Sequence, residues 1–129
     1  MTFKCHKIEL NNSQKAGNNY GNNNNNNQKQ VIMYPVNAIG FNPRYDKFLY
    51  TAGADGNMFY WDHEQKNKIR SFHFNSVPVT CCSIDPTGYY MAYALGYDWH
   101  EGVQGLKKQI PPRILVHAIP DQELAYQKR

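Results

Sequence analysis

No stretch of the sequence approaches the ~18 consecutive apolar residues of a membrane-spanning helix, and its first ten residues, MTFKCHKIEL, hold no apolar core of signal-peptide length. Cysteine is scarce: the 129 residues contain Cys5, Cys81 and Cys82. An odd count, with two of the three adjacent, gives no disulfide framework, because neighbours on a strand point to opposite faces. The expectation is a soluble intracellular protein in a reducing compartment. Without a secretory route, the sequon at Asn11-Asn12-Ser13 is read as chance. Metal-ligand spacing is missing as well, with no Cys-x-x-Cys pair and no two histidines four residues apart. Cys5-His6 has no third group in sequence to orient a nucleophile, and His100-Glu101 lacks the rest of a metalloprotease motif. No catalytic residue, metal or cofactor is expected. Sustained 3.6-residue periodicity is also absent, so helices should be scarce.

Fourteen Lys and Arg stand against ten Asp and Glu, for a net charge of +4. That mild excess is compatible with acidic or nucleic-acid partners and equally with a solvated basic surface. Aromatics are plentiful, with ten Tyr, six Phe and two Trp, as suits pleated sheets. Asn11 to Gln30 is dominated by asparagine, including the run Asn22 to Asn27, and buries too little apolar surface to offset the entropy of ordering it. It is expected to be a disordered insertion in a surface loop.

Short alternating runs fill most of the remaining chain. VNAIGF, from Val36 to Phe41, is closed by NPRYDK. FLYTAGA leads into Asp55-Gly56, and NMFYWD and KIRSFHF follow. Asp-Gly between two alternating runs is a strong hairpin signal, because both central residues of a type I′ turn need positive φ. VTCCSIDPTG and YYMAYALGY restart the pattern, and RILVHAI ends it. Phe41-Asn42-Pro43 is echoed by Ile84-Asp85-Pro86, 43 residues later. A period of about 40–45 residues with four strands and a Trp-Asp pair is the signature of a WD-repeat propeller blade. The fold expected is therefore all-β, about two blades of a propeller. The divisions are residues 1–10 as the outer strand of a preceding blade, 11–30 as the insertion, 31–75 and 76–120 as blades, and 121–129 as a basic tail.

In such a repeat a turn Asp, a strand Ser or Thr and the strand Trp form a buried hydrogen-bonded set. Thr51, Asp55 and Trp61 occupy those positions. The histidine that completes the set is not found at its usual place, where Asn37 lies nearest. The second blade departs further, with Tyr97-Asp98-Trp99 where its hairpin turn should be. Propellers have 4–8 blades, so two cannot close a ring, and the expectation is a C-terminal piece with further repeats encoded ahead of Met1.

The segments FKCHK, YPVNAIGFNP, AGADGNMFYWD and VTCCSIDPTGYYMAYALGYDWHEG, with the basic C-terminal tail, resemble the last two blades of the WD-repeat messenger-RNA export factors of the nuclear pore (Rae/Gle type). The sister family, spindle-checkpoint propellers that partner Bub kinases, shares FKCH and YPVNAI but typically lacks the CC and YDW elements. The resemblance implies a non-enzymatic adaptor of the nucleus, nuclear pore and cytoplasm. Its implied partners are a Phe-Gly nucleoporin carrying a Gle-binding segment and messenger ribonucleoprotein; the sister family would instead imply a Bub-type kinase. It also implies a partner and RNA groove at Phe3, Lys4, Trp61, Asp62, Lys66 and Lys68. His63 replaces the lysine common in that family after Trp-Asp.

Overall fold

The computed structural model describes residues 4–10 and 30–125. Phe3, the Asn-rich segment up to residue 29 and the last four residues lie outside them.

The described chain folds into three antiparallel sheets. Strands β1 (Lys7–Leu10) and β2 (Gln30–Met33) form a hairpin, in which Leu10 opposite Gln30 closes off the Asn-rich segment. A four-stranded meander follows: β3 (Val36–Asn42), β4 (Tyr45–Gly53), β5 (Asn57–Asp62) and β6 (Asn67–His73). A second meander has three strands, β7 (Val79–Ile84), β8 (Tyr90–Leu95) and β9 (Arg113–Ala118). These are blade-type sheets, and two of them make an open, partial ring.

Strand alternation gives each blade two working faces. Cross-strand partners place Ile39, Thr51 and Phe59 on one side of the first blade, together with Phe41, Leu49 and Trp61. We call this its leading face. The trailing face carries Phe48, Tyr50, Ala52, Met58 and Tyr60, all buried against Val79, Met91, Ile119 and Leu124, with Cys82, Ile84, Tyr93 and Leu95 packed around them. The core therefore lies between the trailing face of one blade and the leading face of the next. Two polar links reinforce it. The Tyr50 hydroxyl donates to the Cys82 carbonyl at 2.9 Å, and the Asn37 amide donates to the Val79 carbonyl at 3.0 Å and to Asp98 Oδ2 at 2.6 Å.

A tight turn forms at Asp55-Gly56, but not the expected type I′: three residues, Ala54 to Gly56, join β4 to β5, the Gly56 N–H donates to the Gly53 carbonyl at 3.3 Å, and of the Asp-Gly pair only the glycine has positive φ. Gly56 has φ +74°, and a Cβ there would sit 2.7 Å from the Ser76 Cα, so both conformation and space call for glycine.

Several boundaries differ from those read in the sequence. Lys7–Leu10, expected in the outer strand of a preceding blade, pairs with β2 instead, because the segment that follows returns to it. The first blade starts at Val36, so residues 31–33 belong to the hairpin. Tyr97-Asp98-Trp99 is not a tight turn. It opens a long connection holding a 3₁₀ helix, Gly102–Lys108, before β9. The tail is not merely solvated: α1 (Asp121–Leu124) turns Leu124 into the core, where it is 5% exposed. Two links hold this turn. The His117 Nε2–H donates to the Glu123 carboxylate at 2.9 Å, and Arg44 Nη1 lies 3.2 Å from Asp121 Oδ1.

Candidate functional site

The leading face of the first blade carries the chemistry. The Trp61 indole donates to Thr51 Oγ1 at 2.9 Å, Thr51 Oγ1 lies 3.2 Å from His6 Nε2, and His6 Nδ1 lies 2.7 Å from Asp55 Oδ1. An indole N–H can only donate and an ionised carboxylate can only accept. One direction of flow therefore satisfies every member: indole N–H to Thr51 oxygen, Thr51 O–H to Nε2, and Nδ1–H to the carboxylate. Asn57 completes the site by donating its backbone N–H to Oδ1 at 3.2 Å and its amide to Oδ2 at 2.7 Å.

His6 is the missing histidine. It replaces the expectation that Asn37 stood nearest to that role, since Asn37 points instead to the next blade. His6 sits at φ +52° and is 2% exposed, and its carbonyl accepts the Tyr34 N–H at 2.9 Å, tying the base of the hairpin. Gly53 makes the approach possible, because a Cβ at that position would stand 2.5 Å from His6 Nδ1. Burial by itself would push the Asp55 carboxyl up. The hydrogen bonds from His6 and Asn57 outweigh it and hold the group below its usual value.

Beside this clasp lies a basic rim over aromatic rings. Lys68 Nζ is 4.9 Å from the Phe59 ring centroid, and Phe59 meets Trp61 edge-on at 5.7 Å. That is a cation–π geometry with the ammonium left near solvent. Lys66 is exposed at φ +58° in the β5–β6 turn. Cys5 packs on the Leu49, Phe59 and Trp61 cluster, and Lys4, which precedes it, is exposed. Burial raises the Cys5 thiol, which makes it a poor nucleophile. Among the described residues no three His, Cys, Asp or Glu side chains converge as a metal site would need.

Of the six expected groove residues, Lys4, Lys66 and Lys68 are exposed, and Phe3 is outside the described residues. The other two are buried in this chain. Trp61 is 8% exposed, so its ring serves the clasp and the cluster more than a partner. Asp62 is 0% exposed, and its Oδ1 accepts the Glu64 and Gln65 N–H groups at 3.0 and 2.9 Å. It shapes the turn that presents Lys66 and offers no free edge of its own. His63 is half-buried, its ring 5.7 Å from Phe41 and its Nε2 3.2 Å from the Asp46 carbonyl. Phe59 was missed in the sequence. Its position between the tetrad Thr51 and the rim, on an alternating strand, was the signal.

No family model matches the sequence. The chain is 34% identical, over 96% of its length, to a poly(A)+ RNA export protein of Schizosaccharomyces pombe, and covers 30% of that protein. With the messenger-RNA export factor rae-1 of Caenorhabditis elegans it shares 33% identity over 91% of its length, covering 27% of that relative. Among solved structures, the WD40 repeats of RRP9 align at 21% identity over 47% of this chain and 20% of theirs, with a TM-score of 0.44. The chain thus spans less than a third of the curated relatives it matches. Several of its curated relatives are messenger-RNA export factors of the Rae/Gle type, 29–34% identical over most of this chain, and to a part of those proteins the chain is similar.

Proposed function

We propose that this chain forms part of an adaptor for export of polyadenylated messenger RNA, working in the nucleus and at the nuclear pore and passing to the cytoplasm. The rim of Lys4, Lys66 and Lys68 receives phosphates of messenger ribonucleoprotein, while other surfaces of the assembled protein take a Gle-binding nucleoporin segment. The observation that carries the reading is the rim itself. Lys68 is held over Phe59, and Lys66 is pushed outward by a left-handed turn that the buried Asp62 stabilises. Solvent-facing cations hold a flexible, phosphate-bearing strand without reading its sequence. The names of the relatives, a poly(A)+ RNA export protein and an mRNA export factor, support the same reading.

Lys66→Glu reverses one rim charge without touching the core, so the unfolding midpoint should stay within about 0.5 kcal/mol of wild type. Binding of a single-stranded RNA should weaken, and the slope of log K against log salt should fall by about 0.7 for a lost phosphate contact. Equal affinity and equal slope across the salt series would remove Lys66 from the site. A Gle-binding nucleoporin peptide titrated into both proteins reports separately on the second partner.

A further inference from the structure

The segment from Pro120 to Ala125 lies on the two blades as a short peptide lies on a receptor, and three side chains hold it there. Leu124 fills a hole between the blades formed by Phe48, Tyr50, Tyr60 and Ile84. Both carboxylate oxygens of Glu123 lie 2.9 Å from His117 Nε2. Asp121 stands 3.2 Å from Arg44 Nη1. The receptor is therefore an apolar hole accompanied by two nitrogen donors, a guanidinium and an imidazole. Its parts come from both blades: Arg44 from the β3–β4 turn, the hole from β4, β5 and β7, and His117 from β9. Such a set selects an acidic residue, a spacer, a second acidic residue and a leucine, in that order.

The resident segment fits this receptor incompletely. The Arg44 side chain is 11% exposed, its guanidinium is stacked 3.9 Å from the Tyr89 ring centroid, and its Nη2 donates to the Ile119 carbonyl at 3.1 Å. Yet Nε and Nη1 make no hydrogen bond. The Asp121 carboxylate is close enough to Nη1 but out of line with its N–H, and it stays 72% exposed. A void of about 10 Å³, the size of one water, remains beside Leu124. The helix itself is one turn with no side-chain cap, its Glu123 N–H returning to the Pro120 carbonyl at 3.0 Å. A segment with so few attachments opens more readily than the strands it covers.

We infer that Pro120–Ala125 is an exchangeable placeholder. When it lifts, the hole with Arg44 and His117 takes a segment of another protein that carries the same acidic-x-acidic-leucine chemistry, with one carboxylate in line with Arg44 Nη1. Resident and partner compete for one site, so the partner's apparent affinity falls by the fraction of time that the site stands open. Lys4, Lys66 and Lys68 take no part, and the inference is independent of the export reading.

The test is fluorescence anisotropy of a labelled peptide, Pro-Asp-Gln-Glu-Leu-Ala, titrated with the full chain and with its Leu124→Ala variant. That variant keeps every group of the receptor and weakens only the resident, so it should bind the peptide at least about tenfold more tightly than wild type. Peptides with Gln in place of Glu, or Ala in place of Leu, should bind the variant at least about tenfold more weakly than the parent peptide. Adding His117→Ala to the variant should remove binding. In the wild type, hydrogen exchange should show the Glu123 amide exchanging at least about 100-fold faster than those of β4 and β5. Equal affinity for wild type and variant, no binding to the folded variant, indifference to the peptide's Glu or Leu, or a Glu123 amide as protected as those strands would each overturn the inference. So would a Leu124→Ala chain that loses its near-ultraviolet circular dichroism, since a segment on which folding depends is no placeholder. A wild-type dimer linked by exchanged segments, seen by light scattering, would overturn the outside partner and give the site to a second copy.

Discussion

Replacing His6 with alanine should lower the stability of the folded chain by about 3 kcal/mol, because it takes the hydrogen-bond donor away from a buried charged carboxylate. The side chains of His6 and Asp55 are 0% and 2% exposed, so no water can take the place of the imidazole without opening the sheet. Thr51 loses the acceptor for its proton at the same time, and Gly53 faces a void where the ring lay. Against a total stability of order 5–15 kcal/mol, such a loss is readily seen as a shift in urea midpoint. The pH dependence gives a second readout. The folded Asp55 carboxyl titrates below its unfolded value, so its contribution is complete above about pH 4 and is lost as pH falls through the lower folded value. In the His6→Ala protein the largest lowering influence is gone and burial, which raises the carboxyl, remains. The gap between wild type and variant should therefore narrow on acidification below about pH 4. A gap that stays constant down to pH 2.5 would mean that the His6–Asp55 contact contributes by packing alone.

Met91→Ala should cost about 3 kcal/mol, within the range for emptying a packed methionine site. Met91 is 0% exposed between the two blades, and its sulfur lies 3.8 Å from the Tyr60 hydroxyl. The cavity would open in the interface that holds one blade to the other, so the two sheets should also lose some of their cooperativity, seen as a smaller slope of unfolding free energy against urea. Met33→Ala supplies the control: the chemistry is identical, but Met33 is 79% exposed, and the change should fall within about 0.5 kcal/mol. Similar midpoints for the two variants would mean that the blades are not packed on each other in solution.

What could be read from the sequence was whatever lay close together in it. Thr51, Asp55 and Trp61 fall within one hairpin, where alternation and an Asp-Gly turn fix their relation, and they do converge. His6 was hidden because the chain reaches it only across the Asn-rich segment, which erases the usual spacing between this histidine and its blade. The quoted FKCHK held it in plain view, and a search for any histidine ahead of the first strand would have found it. Asn37 illustrates the opposite error, since nearness in sequence offered it to Asp55 while the sheet turns it to Asp98. Asp98 itself follows Asp55 by the same 43 residues as the rest of the repeat, yet its hairpin is replaced by a long excursion, because no Asp-Gly stands there to set a tight turn. In the tail, polar composition concealed Leu124. One turn of helix suffices to bury Leu124, and no periodicity can be read from one turn. The rim was the least legible part. Residue types identified its cations, but only burial separates Lys66 and Lys68, which face solvent, from Asp62, which does not.

The adjacent cysteines carry a consequence for chemical labelling. Strand alternation sends Cys82 toward the core, where burial pushes its thiol up to about 12, while Cys81 stands exposed on the opposite side of β7. Two thiols one residue apart thus differ as a handle differs from an inert side chain. An alkylating dye at neutral pH will mark Cys81 ahead of Cys82 and of the half-buried Cys5, whose thiols burial raises.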